Sequence, residues 1–163
     1  MILRPERLDV EPGTKLAEVQ FGPVTRAMLA LYAGASGDHD PVHIDTDFAR
    51  KAGLADVFAH GMLVFGILSR VVTEPFGIDR LRALGGRFVA ITEVHDLLTC
   101  SGLVTELFED GGETRARIEL RATTQDGRET LVGEAVVAVG AVESPSPLSS
   151  IASADRSAEK QKE

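Results

Sequence analysis

Cysteine, tryptophan and tyrosine are nearly missing from this chain, with one Cys, no Trp and one Tyr in 163 residues. A single thiol, Cys100, cannot form an intrachain disulfide, which excludes the small disulfide-stapled classes. Basic residues are also scarce, 17 Lys and Arg against 25 Asp and Glu, for a formal net charge of −8. Nucleic acid is held by clustered Lys and Arg that neutralise phosphates, so no nucleic-acid partner is expected. A local basic patch for a phosphorylated small molecule stays open. The longest apolar stretch, around Gly61 to Val72, falls well short of the ~20 residues that span a bilayer. The opening MILRPERLDVEPG has no apolar run of signal-peptide length. By elimination a soluble cytoplasmic protein with no membrane partner is expected.

What remains is ordinary globular composition, 44% hydrophobic and 26% charged, and enough length for one domain with its own core. KLAEVQFGPVT reads as a first strand. Thr25 is a good N-cap for TRAMLALYAGAS, where Met28, Leu29, Leu31 and Tyr32 have helical spacing. A short helical run near DTDFARKAG follows, with Gly53 as its C-cap. GMLVFGILSRVVTEPFG is apolar on almost every face for three turns, so it predicts a helix buried on most sides and ended by Pro75 and Gly77. GRFVAIT, LLTCSGLVTELFE, TRARIELRATT and ETLVGEAVVAVG are strand-like, and EDGGE and QDGR are hairpin turns. Several antiparallel strands after one apolar helix predict an α+β fold, with the sheet wrapped around that helix. Residues 1–142 form the domain in this reading. Residues 143–163, rich in Ser, Pro and charge, are expected to be a disordered tail.

SGDHDPVHID, Ser36 to Asp45, holds two of the four histidines among three Asp. Asp38 and His43 are five positions apart, which on a helix would point them about 140° apart. Pro41 disfavours a continuous helix, and a turn at Asp40-Pro41 would let both side chains converge. A carboxylate beside an imidazole suits proton transfer at neutral pH, and a merely polar Asp-Pro turn accounts for the residues equally well. A metal is not expected from Asp38, Asp40, His43, Asp45 and Asp47: they lack the Gly and terminal Glu of a calcium loop and the His-x-x-x-His of a zinc helix. AHGM, residues 59–62, opens the apolar helix. Free amides there, with Gly61 permitting close approach, are the equipment of an oxyanion hole. A plain helix cap by His60 and Gly61 is the other reading.

YAGASGDHDPVHIDTDFA resembles the signature of the MaoC-like, (R)-specific enoyl-CoA hydratases (hydratase 2). That signature is an aromatic residue, then Ser-Gly-Asp-x-Asn-Pro-aliphatic-His, then an Ala six residues after the His. Tyr32, Ser36, Gly37, Asp38, Pro41, Val42, His43 and Ala49 fit it, and AHGML is similar to the family's entry into its central helix. The resemblance covers roughly residues 14–140. It implies a hot-dog fold, pairing edge to edge into a homodimer or a heterodimer with a related subunit. It implies Asp38 and His43 as the catalytic pair and the Gly61 amide as a contact for the thioester carbonyl. Ser69 falls where the family often has a serine near the pair, although a Ser bonded back to its own helix explains it equally. The implied activity is reversible hydration of trans-2-enoyl thioesters to (R)-3-hydroxyacyl thioesters in fatty-acid-type metabolism. The partner would be acyl-CoA or acyl-carrier-protein substrate, with no separate cofactor. A non-catalytic partner subunit and an acyl-CoA thioesterase are the alternatives. Asp40 departs from the family's Asn, and His95-Asp96 from its usual Gly-Asp.

Overall fold

The computed structural model describes residues 9–140; the tail expected at 143–163 lies outside them. Its first strand, β1, is Val19–Phe21, shorter than KLAEVQFGPVT allowed. The Thr25 hydroxyl accepts from the Met28 amide and caps α1, Arg26–Ser36, which ends where Gly37 turns left-handed at φ 76°. A single 3-10 turn, Pro41–His43, leads into α2, Thr46–Lys51. The C-cap of α2 is Ala52, and Gly53 follows it with φ 89°. The long helix α3 is Gly61–Phe76, with Pro75 in its last turn and Gly77 as its cap.

Four longer strands follow: β2, Leu81–Phe88; β3, Leu98–Asp110; β4, Glu113–Thr124; and β5, Glu129–Ala138. β3 and β4 are joined through Gly111 and Gly112 at φ 61° and 79°, the positive values a two-residue primed turn requires. The sheet runs β1-β3-β4-β5-β2, and every pairing is antiparallel. α3 lays Val64, Leu68, Val71, Val72 and Phe76 into one apolar core with Cys100, Val104, Ile118, Leu120 and Leu131 of the sheet. Gly102 on β3 sets the closeness of that packing. A Cβ there would fall 2.9 Å from a Val71 methyl and 3.3 Å from Ile118.

Two expectations are corrected. α3 is not buried on most sides, since Met62 is 58% exposed and Gly66 is open to solvent. One five-stranded sheet covers only one side of a helix. The strand expected over GRFVAIT instead begins at Leu81 and stops at Phe88. Beyond it the amides of Val89 and Ala90 both turn onto the Thr130 carbonyl, and the Thr92 carbonyl accepts from Ala59. This bends residues 89–92 off the ladder and over the start of α3.

Candidate active site

Each side chain of the site is held by local bonds. After Gly37, the Asp38 amide donates to the Ser36 hydroxyl, itself bonded to the Tyr32 carbonyl at 2.7 Å. The Asp38 carboxylate accepts from the Asp40 amide at 3.3 Å, and the Asp40 carboxylate from the Val42 amide at 3.0 Å. Asp40 thus caps the 3-10 turn, work that an acceptor alone can do. Asp45 likewise caps α2 through the amides of Asp47 and Phe48. Much of the carboxylate crowding in SGDHDPVHID is therefore capping.

The turn delivers His43 inward. It is 9% exposed, its ring meets Phe58 edge-on at 4.7 Å, and its Nδ1 lies 2.8 Å from the Phe58 carbonyl oxygen. A carbonyl can only accept, so Nδ1 carries the proton, and Nε2 of the neutral ring keeps its lone pair. Asp38 and His43 come together as the sequence predicts, and a third residue joins them. Side-chain donor atoms of Asp38, His43 and His60 all lie within 4.8 Å of one another. These are also three groups able to ligate a metal, the number a catalytic zinc site uses. Burial lowers the His60 pKa from its ordinary value, outweighing the opposing pull of its bond to the Asp38 backbone.

Asp38 and His43, though not the buried His60, border a cavity of about 640 Å³, whose wall includes Val42, Phe58, Met62, Phe88 and Ile91. Asp38, His43 and Gly61 all line it. One wall is thus polar and the rest largely apolar, the form of a site for a ligand with one reacting group on an apolar body. Leu63 and Val64 donate to the His60 carbonyl, so the Gly61 and Met62 amides precede the first intrahelical bonds. They stand at the positive end of the α3 dipole. A Cβ on Gly61 would fall 2.9 Å from the Phe88 ring. Ser69 lies two turns further along α3, is absent from the cavity lining and donates to the Gly66 carbonyl at 2.7 Å. Cys100 is fully buried in the core, where desolvation pushes its thiol up to about 11.

The sequence pattern of the MaoC like domain matches residues 8–126, more than half of the chain, and the chain belongs to that family. An (R)-specific enoyl-CoA hydratase of Aeromonas caviae is 32% identical over 134 residues, which cover 81% of this chain and 96% of that protein. The solved (R)-hydratase of A. caviae involved in PHA biosynthesis superposes with a TM-score of 0.71 at 30% identity, over 80% of this chain and 97% of that one. The fold is therefore the hot dog of the MaoC-like hydratases, as the sequence implied. Other relatives are far longer. The chain spans 12% of the peroxisomal multifunctional enzyme type 2 of Mus musculus, at 32% identity over 97 residues, or 58% of this chain. Among the described residues no helix is long and apolar enough to cross a membrane.

Proposed function

We propose that the chain is a hydro-lyase that adds water reversibly across a trans-2-enoyl thioester, of CoA or of a carrier protein, to give the (R)-3-hydroxyacyl thioester. The observation that carries this reading is the convergence of Asp38 and His43 on one cavity at the amino end of α3. The names of the A. caviae relatives support it.

In hydration one water lies between the Asp38 carboxylate and Nε2 of His43. As its oxygen bonds to the β-carbon, the pair takes one of its protons. The π electrons shift toward the thioester oxygen as an enolate. That charge is met by the Gly61 amide and the helix dipole. The α-carbon then takes a proton from the protonated pair, which returns to its starting state. The two groups share one proton and act as a unit. No metal or redox cofactor enters this scheme.

A thioesterase with its acid on the central helix is not favoured. The acid of α3 is Glu74, in the last turn and ion-paired with Arg70 at 2.7 Å. Assembly as a dimer through β2, an outer strand of the sheet, is part of the proposal. Met62, Phe88, Val89 and Ile91 are 41–58% exposed beside the cavity, and a second hot-dog subunit would cover them.

The test is the ultraviolet absorbance of the conjugated thioester, followed with the purified chain on a panel of enoyl-CoAs. Loss of absorbance with formation of the (R)-alcohol supports the reading. Hydrolysis to free CoA, or no turnover on any chain length, contradicts it.

A further inference from the structure

α3 begins at a histidine that the proton transfers do not use. His60 is 1% exposed and is the N-cap residue of α3, yet its side chain makes no capping bond. Instead it reaches out of the helix. Its Nε2 lies 3.1 Å from the carbonyl oxygen of Asp38. Its ring lies 4.0 Å from the His43 ring, the planes tilted by 30°, and 5.0 Å from Tyr32 in an edge contact. Since a carbonyl only accepts, the Asp38 contact is a hydrogen bond when the proton is on Nε2. The other nitrogen, Nδ1, is buried without a hydrogen-bond partner among the described residues. A proton there would bury a cationic N–H with no acceptor, against a second imidazole. The charged or titratable groups facing His60 are Asp38 and Asp40 from the loop, His43 from the 3-10 turn and Tyr32 from α1.

Asp38 needs such a tie. It is exposed and follows a left-handed glycine, and its other hydrogen bonds reach only two residues along the chain. Bonds that local leave the segment free to move as a unit. The His60 bond spans 22 residues and runs to a helix locked in the core.

We infer that His60 is a positioning residue: its Nε2–H ties the Asp38 backbone to the first turn of α3, and its ring is the wall against which His43 is set. The kinetic arm of this inference rests on the hydratase reading. The test uses side chains that reproduce one ring nitrogen each. Gln places an N–H donor where His has Nε2, whereas Asn reaches only the place of Nδ1, and Phe keeps the ring without a donor. His60→Asn and His60→Phe should lose roughly 10²-fold in kcat, the scale of a small misplacement of reacting groups. KM should change little, and His60→Gln should recover most of the loss.

Nitrogen-15 spectra of the imidazoles supply a readout that needs no turnover. The wild type should show His60 neutral with its proton on Nε2, and the His43 signals should move in the Asn and Phe variants but not in Gln. A wild-type His60 that is charged or protonated on Nδ1 at neutral pH overturns the inference, even where variants fail to fold. So does a Gln variant no better than Asn. Should the spectra behave as stated while the wild type turns over no enoyl thioester, the positioning role stands and the hydratase reading fails.

Discussion

His43 donates its Nδ1–H to the main-chain carbonyl of Phe58 at 2.8 Å. One bond to the backbone thus sets which nitrogen of His43, the base in the proposed scheme, is free to meet water. The expected outcome is that neutral His43 carries its proton on Nδ1, which nitrogen-15 chemical shifts read directly. A ring found protonated on Nε2 would leave no lone pair for the water and would remove the base from the scheme.

Gly61 carries the oxyanion contact of the proposed scheme. Ala is the better helix former at most positions, so Gly61→Ala should leave the melting temperature nearly unchanged. The amide is kept, but a Cβ at position 61 would crowd the approach of the thioester oxygen to it, so turnover should fall, by at most the roughly 2.7–4 kcal/mol that loss of one oxyanion donor has cost elsewhere. The new Cβ would also press on Phe88, 2.9 Å away. The double variant Gly61→Ala, Phe88→Ala separates the two effects, and it should stay slow. Recovered turnover in the double variant would mean that Gly61 merely makes room for the Phe88 ring.

No divalent ion is needed in the proposed chemistry. Dialysis against EDTA should leave kcat unchanged, even though Asp38, His43 and His60 could hold a metal. Activity that vanishes with chelator and returns with zinc would assign the trio to a metal.

A loss of stability in acid is expected from an ion pair away from the site. The Arg82 guanidinium grips the Glu113 carboxylate with bonds of 2.6 and 2.8 Å, and Arg115 adds a third at 3.2 Å. Chiefly through Arg82, the Glu113 pKa is lowered to about 2. A depressed carboxylate stabilises the fold fully above its unfolded pKa, about 4.3. That contribution is lost as pH falls from there through the folded value. Denaturation curves between those limits should show a shallower pH dependence for Glu113→Gln than for the wild type.

Residue patterns in the sequence carried much of this architecture. The apolar run of α3, stopped by Pro75 and Gly77, and the Gly111-Gly112 turn are local signals, and the elements they specify stand where expected. Pro41, by breaking the helix, allowed Asp38 and His43 to converge, but a polar turn explained the residues equally well, and it was the family resemblance that singled out the pair. His60 was not legible, because its partners Tyr32, Asp38 and His43 come from separate turns of the chain and no spacing links them. A histidine directly before the glycine that opens an apolar helix was the available signal. The Phe58 carbonyl could not be read at all, since any residue there offers the same acceptor. The exposed face of α3 was missed for a different reason. Apolarity says that a face will be covered, and it does not say whether by the same chain or by another.

The pair itself is tested most directly by a double-mutant cycle on Asp38→Asn and His43→Gln, with kcat measured on an enoyl-CoA and folding checked by thermal melts. Each single variant should lose roughly 10²–10⁴-fold with folding intact. The double variant should be hardly worse than the slower single one, because the two groups work as a unit. A folded His43→Gln protein with near-normal turnover, or losses that simply multiply in the double variant, would contradict it.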